Sequence, residues 1–121
     1  MEKVMGELRR GSKTGHWMWF VFPQMKGLGH SWMAQKYGIG SRVEAEAYLA
    51  HPILGPRLIE CTQLLNAVEG RSAEQVFGAI DTMKLRSSMT LFAAVSGGGV
   101  FAEALRKYFG GQEDGLTRER L

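Results

Sequence analysis

Cysteine and long apolar runs are scarce in this sequence, and each scarcity excludes a class of protein. The single Cys61 among 121 residues cannot form an intramolecular disulfide, which argues against a disulfide-stabilised secreted domain. No apolar run approaches the roughly 18 residues of a transmembrane helix, and the first residues lack the basic-then-apolar layout of a signal peptide. We therefore expect a cytoplasmic protein with no membrane partner, folded as one helical domain over residues 1–121.

Clustered charge and metal-binding spacings are also missing. The net charge of +3 comes from 15 Lys and Arg residues that are interleaved with 12 acids, whereas nucleic-acid-binding domains concentrate their cations in a patch. Nucleic acid is therefore a disfavoured partner. The three histidines, His16, His30 and His51, do not stand at a metal-ligand spacing such as His-x-x-x-His. We expect no metal and no cofactor.

The aromatic residues, only 10% of the chain, are concentrated at residues 15–24, which read GHWMWFVFPQ. Each buried aromatic side chain removes roughly 150–250 Å² from water, so this stretch can supply much of a small core. Trp is rarely buried completely and its indole N–H needs an acceptor. The same stretch can therefore line a pocket, with polar ends at His16 and Gln24. The sequence leaves both alternatives open.

Apolar spacing in the rest of the chain predicts helices. Ser72 and Gln75 have the spacing of a capping box, Gly78 is predicted to end that short helix, and Asp81 to cap a longer one. We predict an all-α fold, a compact multihelical bundle or short helical array, with α+β and a short strand at 17–22 as the alternative. The clearest amphipathic helix has apolar residues at alternating four- and three-residue steps, namely Leu54, Leu58, Cys61, Leu65 and Val68.

Four longer segments stand in a fixed order along the chain: HWMWFVFPQ at 16–24, YGI at 37–39, HPILGPRL at 51–58 and KLRSSMTLF at 84–92. Together they resemble the uncharacterised bacterial family called domain of unknown function 1810, DUF1810. The resemblance implies a compact, mostly helical fold and no established activity. It also implies an additional N-terminal segment, so we expect a shortened member that self-associates as a homo-oligomer through the apolar surface left uncovered.

Polar groups interrupt core-like sequence at two places, the aromatic stretch and residues 81–90. The second place combines an acid and two cations with the hydroxyls of Ser87, Ser88 and Thr90, groups that can bind a phosphate or a carboxylate. We expect the two places to face one another and to bind a small anionic or nucleotide-like ligand, with two Trp as stacking walls and two cations as charge partners. The candidate ligand-binding residues are His16, Trp17, Trp19, Gln24, His51, Lys84, Arg86 and Ser87.

Structural roles compete with each of these assignments. His51 precedes Pro52 and can cap a helix, His16 can make a structural hydrogen bond, and Ser87 can allow close approach of two helices. Hydrolysis would need a base beside a serine, for which His16 and His51 are the candidates. The alternative function is a protein-interaction or structural helical module without catalytic activity.

Overall fold

A computed structural model describes residues 1–27 and 31–121; His30, one of the three histidines considered above, lies outside these ranges. The all-α prediction is confirmed, because the described residues form helices joined by turns, and their one β-type pairing is an isolated parallel bridge between Met25 and Ile39. The helices are α1 (Glu2–Arg10), α2 (Met18–Val21), α3 (Trp32–Tyr37), α4 (Arg42–Ala50), α5 (Leu54–Asn66), α6 (Ala73–Ser96), α7 (Gly99–Phe109) and α8 (Gly115–Glu119).

One hydrophobic core draws residues from α1, α2, α4, α5, α6 and α7. The predicted apolar face of α5 is confirmed in the packing, because Leu58, Cys61 and Leu65 are buried and Val68 follows them just beyond the helix. The helices α6 and α7 pack against each other, and α5 packs against α7. Burial raises the pKa of the Cys61 thiol to about 11, so this residue is an apolar core group at neutral pH.

The predicted end of the short helix at Gly78 is confirmed, because this residue leaves the helical conformation and divides α6 into two helical runs that meet at a kink. Ser72 and Gln75 form both hydrogen bonds of the capping box at its start. Gly78 has φ 81° and ψ 166°, a conformation that a residue with a side chain rarely adopts. The predicted cap at Asp81 is wrong, because Asp81 lies after the kink inside α6 and its carboxylate pairs with Lys13 at 2.7 Å.

The aromatic stretch forms the single turn α2 rather than a strand, so the α+β alternative is not observed. Its residues divide between the interior and the surface: Trp17, Val21 and Phe22 are buried, whereas Phe20 is exposed and packs edge-on against Tyr37 at 4.9 Å between ring centroids. The core alternative and the pocket alternative therefore apply to different residues of the same stretch. None of the helices in the described part of the chain combines the length and the hydropathy that a bilayer-spanning segment needs.

Candidate ligand-binding site

A buried carboxylate fixes the beginning of the aromatic stretch. Glu7 of α1 is inaccessible to solvent, and its Oε1 accepts hydrogen bonds from the backbone N–H of Thr14 at 2.7 Å and of Gly15 at 2.9 Å. It also accepts the indole N–H of Trp17 at 3.0 Å. The N–H donors of Gly15, Thr14 and Trp17, in that order, lower the pKa of Glu7 from 4.5 to about 2, against the opposing effect of burial. The carboxylate is therefore ionised at neutral pH and holds Trp17 in place.

Trp17 belongs to the core and not to a cavity wall, which corrects its expected role as a stacking surface. Its ring lies against Phe22 at 6.2 Å and against Phe77 at 6.3 Å between centroids. The ammonium group of Lys13 lies 5.1 Å from the ring centroid, at cation–π distance. The indole is thus surrounded by α6, by Lys13 and by the Glu7 carboxylate, with its one donor already used.

The other half of the aromatic stretch faces α6 across a cavity of about 360 Å³, which we call the Gln24 cavity. The stretch contributes two side chains to the wall, and α3, α6 and the segment that begins α8 contribute the rest. The predicted convergence of the aromatic stretch with residues 81–90 is therefore present in the geometry. The described residues that line the cavity are Trp19, Gln24, Ser31, Ala34, Ile80, Met83, Lys84, Arg86, Ser87, Asp114 and Leu116.

Two cations in this wall have only long contacts with carboxylates. Lys84 Nζ lies 3.6 Å from Asp81 Oδ1, and an Arg86 guanidinium nitrogen lies 3.8 Å from Asp114 Oδ1. Both distances exceed those of a charge-assisted hydrogen bond, which are about 2.7–2.9 Å. The cations therefore keep N–H donors that a ligand can use. Lys84 Nζ also lies 5.9 Å from the centroid of the Trp19 ring.

Gln24 is the least usual residue of the cavity wall. Its side chain is only 4% exposed, yet its amide nitrogen has no hydrogen-bond partner among residues 1–27 and 31–121. A buried donor without an acceptor costs about 1–3 kcal/mol, and such groups are rare in native proteins. Gln24 thus brings an unpartnered buried donor to a wall that also carries two cations, which is a composition suited to an acceptor with negative charge.

Ser87 lines the cavity without any sign of nucleophilic activation. Its hydroxyl donates to the backbone carbonyl of Met83 at 3.2 Å, and no histidine is found among the described residues that line the cavity. A serine nucleophile needs a base within hydrogen-bond reach. The geometry therefore supplies no catalytic pair for the hydrolysis considered from the sequence.

The two histidines of the predicted site lie outside the Gln24 cavity. His16 is exposed and lines a neighbouring cavity of about 310 Å³, which shares Trp19, Ser31 and Lys84 with the Gln24 cavity. His51 lines a different cavity of about 500 Å³, and its Nδ1 accepts hydrogen bonds from the backbone N–H groups of Ile53 and Leu54, both at 3.1 Å. His51 thus serves as the helix cap that its position before Pro52 suggests.

Sequence reasoning did not identify Glu7, Lys13 or Asp114, although all three contribute to this region. Glu7 gave one signal, because it lies three residues after Val4 and directly before Leu8, on the buried face of α1. A charged residue at such a position usually has strong hydrogen-bond partners. Asp114 gave none, since its position beside Arg86 depends on how the last turn of the chain folds back on α6.

Comparison with known proteins identifies relatives but no activity. A family model described as a protein of unknown function, DUF1810, matches residues 1–121. The crystal structure of the conserved hypothetical protein Rv1873 from Mycobacterium tuberculosis has a TM-score of 0.97 and 56% sequence identity to this chain. The match covers 99% of this chain and 86% of that one. No curated protein matches the chain. The described residues contain no group of three His, Cys, Asp or Glu side chains that could hold a metal ion.

Proposed function

The chain belongs to the DUF1810 family of proteins of unknown function, and from its geometry we propose that it binds a small anionic molecule in the Gln24 cavity. In this proposal Trp19 forms an apolar wall, Lys84 and Arg86 supply positive charge, and Gln24 donates a hydrogen bond. The roles of Trp19, Gln24, Lys84 and Arg86 follow the sequence hypothesis, whereas Trp17, His16 and His51 are left out. Ser87 contributes to the wall without a chemical role.

The unpartnered amide of Gln24 is the observation that supports the proposal most strongly. A ligand carboxylate or phosphate oxygen would accept the N–H that no described residue accepts. The bond would offset the free-energy cost of burying the donor.

The charges around the cavity also favour an anion. Among the described residues of the lining, Lys84 and Arg86 stand with one carboxylate, that of Asp114. Arg86 can bind two oxygens of a carboxylate or phosphate at once, because its guanidinium group is planar and carries parallel donors. The proposal is one of binding alone, since the wall holds no base beside Ser87.

A protein-interaction module is the second candidate, and a separate surface supports it. Trp32 is 65% exposed, and its ring packs edge-on against Tyr37 at 6.3 Å between centroids, with Lys36 Nζ 4.7 Å from the Trp32 ring. Together with the exposed Phe20 these residues form an aromatic patch, and such patches are typical of protein interfaces. If this patch joins two copies of the chain, light scattering should give a dimer that Trp32→Ser converts to a monomer. A monomer at high concentration in both forms would contradict that version of the second candidate.

A ligand screen by thermal shift tests the first candidate. The probes are inorganic phosphate, nucleotides, phosphosugars, ADP-ribose and short and medium-chain carboxylates, because any ligand that binds only the native state raises the melting temperature. For a probe that binds, Arg86→Gln should weaken the affinity by about 1–3 kcal/mol through loss of a charge-assisted hydrogen bond.

Arg118→Gln is the matched control for that substitution. Arg118 also pairs with a carboxylate, that of Glu113 at 3.3 Å, but it lines a different cavity. Its replacement should leave the affinity unchanged. The proposal is wrong if no anion shifts the melting temperature, or if the two substitutions weaken binding equally.

A further inference from the structure

The mouth of the Gln24 cavity carries three exposed apolar side chains. Ile80 is 73% exposed, Met83 is 71% exposed and Leu116 is 59% exposed, and all three line this one cavity. Ile80 and Met83 are three residues apart on α6, so they lie on the same face of the helix, and Leu116 approaches from α8. Contiguous exposed apolar groups beside polar ones mark binding sites on soluble proteins. The polar wall of the cavity is thus continuous with an apolar rim.

The volume of the cavity limits the size of the ligand. A volume of about 360 Å³ lies near the lower end of the range for small-molecule sites. A ligand smaller than a nucleotide, with its base, sugar and phosphate, therefore fits this cavity best.

The balance of charge favours a ligand with one negative charge. The described lining contains two cations, Lys84 and Arg86, and one carboxylate, Asp114. A monoanion therefore makes the site neutral, whereas the dianion of a phosphate monoester leaves one charge uncompensated. Asp81 lies 3.6 Å from Lys84, but it is paired more closely with Lys13 at 2.7 Å, so it does not change this balance.

We propose that the ligand is an amphipathic monoanion, a medium-chain or aryl carboxylate whose head group binds Gln24 and Arg86 and whose apolar body lies against Ile80, Met83 and Leu116. This inference rests on the function proposed above and names the class of its ligand. Gln24 and Arg86 supply donors to the two carboxylate oxygens. The apolar body covers side chains that are exposed in the free protein, and this burial supplies much of the affinity.

Calorimetric titration with a homologous series of carboxylates tests the proposal directly. The probes are butanoate, hexanoate, octanoate and decanoate, each below its micelle concentration, with octanol as the neutral analogue and octyl phosphate and adenosine monophosphate as dianions. The affinity should rise about fourfold for each added methylene, the factor that corresponds to about 0.8 kcal/mol per buried methylene. The rise should level off once the apolar body covers the rim, and octanol and octyl phosphate should each bind more weakly than octanoate.

Substitution of the rim provides the matched comparison. Ile80→Ser should weaken octanoate binding by roughly fourfold to fifteenfold, the contact of one or two methylene groups. Val43→Ser is the control, because Val43 has the same 73% exposure on α4 and does not line the Gln24 cavity. It should leave octanoate binding unchanged, and both substitutions should leave the free energy of unfolding nearly unchanged because both sites are on the surface.

The possible outcomes separate this inference from the proposed function. An affinity that rises with chain length and falls in Ile80→Ser and in Arg86→Gln supports the carboxylate inference and the anion-binding function together. If adenosine monophosphate or phosphate binds in an Arg86-dependent manner while the carboxylates show no dependence on chain length, the carboxylate inference is wrong and the anion-binding function stands. If no probe binds, both are wrong. If Ile80→Ser instead abolishes self-association measured by light scattering, with no effect on octanoate, the apolar rim is a contact between copies of the chain and the inference is overturned.

Discussion

The helical core buries apolar side chains, whereas the wall of the Gln24 cavity leaves apolar side chains exposed and buries a polar one. In the core, the apolar Leu65 is fully buried and the buried hydroxyl of Thr62 donates to the carbonyl of Leu58 at 2.8 Å. Around the cavity, the apolar Ile80 is exposed, while the polar Gln24 is buried with an amide nitrogen that no described residue pairs. This inversion costs stability in the free protein and matches what a ligand-binding surface requires. Residues that stabilise the fold can therefore be separated from residues that are available to a ligand.

Two tryptophans that are only two residues apart are both buried but differ in what they face. Trp17 packs against Phe22 and Phe77 and gives its N–H to Glu7. Trp19 lines the Gln24 cavity, and it also lines the cavity that contains His16 and the cavity that contains His51. Alternation of this kind lets one short turn attach to the core on one side and form a cavity wall on the other.

Truncation of core leucines should have the largest effect on stability. We expect Leu58→Ala and Leu65→Ala each to lower the free energy of unfolding by about 2–5 kcal/mol, because each leaves a cavity in a fully packed region. Ile80→Ala, at the exposed rim, should change it by no more than about 0.5 kcal/mol. Urea denaturation measures all three. Equal losses at the three positions would show that the rim is packed in solution and would remove the contrast between the two regions.

Replacement of the two tryptophans should separate folding from binding within the aromatic stretch. Trp17→Phe should lower the free energy of unfolding by about 1–3 kcal/mol, because a buried ring is truncated and a cavity remains. The substitution also removes the N–H donor to Glu7. The fluorescence change on ligand binding should persist. Trp19→Phe should cost less and should abolish the fluorescence change on ligand binding. Loss of that change in Trp17→Phe alone would reverse the roles assigned to the two residues.

The acid sensitivity of the fold should come from the buried Glu7 carboxylate rather than from the groups of the Gln24 cavity. The native pKa of Glu7 is lowered from 4.5 to about 2, so between these values the unfolded chain binds a proton that the native chain does not. The contribution of Glu7 to the free energy of unfolding is therefore fully present above about pH 4.5 and is lost as the pH falls toward about 2. In Glu7→Gln this part of the pH dependence should be missing from denaturation curves. An unchanged acid limb in that variant would show that other carboxylates are responsible.

The sequence predicts most of the helices because their signals are local. The apolar spacing of α5, the capping box at Ser72 and the glycine after α6 each act within a few residues. The error at Asp81 has a physical cause. Gly78 interrupts the helix, so the second helical run begins directly after it and Asp81 already lies in the first turn of that run instead of preceding it. The sequence therefore placed the break correctly and the start of the next run a few residues too late.

The candidate site was only partly predictable, because it depends on contacts between distant parts of the chain. The sequence identified Gln24 and Arg86 as polar interruptions of apolar stretches, and both line one cavity. It also included Trp17, whose burial depends on Glu7 ten residues earlier. The partner of Arg86, Asp114, is distant in sequence and has no local pattern. The apolar rim was missed because Ile80 and Met83 have the spacing of a buried helix face.

One substitution in the cavity wall should change stability with the opposite sign, and it tests the contrast most directly. Gln24→Met keeps the size of the side chain and removes the unpaired buried donor, so the free energy of unfolding should rise by about 1 kcal/mol. The matched substitution in the core is Thr90→Val. Thr90 donates to the carbonyl of Arg86 at 2.8 Å and accepts the backbone N–H of Asp114 at 2.9 Å, so the loss of its hydroxyl should lower the free energy of unfolding by about 1–2 kcal/mol.

Ligand binding should respond to Gln24→Met in the reverse direction. A variant that is more stable and binds the anionic probe more weakly has exchanged function for stability, as expected of a polar group retained for a ligand. Urea denaturation and calorimetric titration of the same preparation give both values. If Gln24→Met is destabilised as much as Thr90→Val, the amide nitrogen has a partner in solution, for example an ordered water, and the free protein already satisfies the group. The main observation that supports ligand binding in this cavity would then be removed.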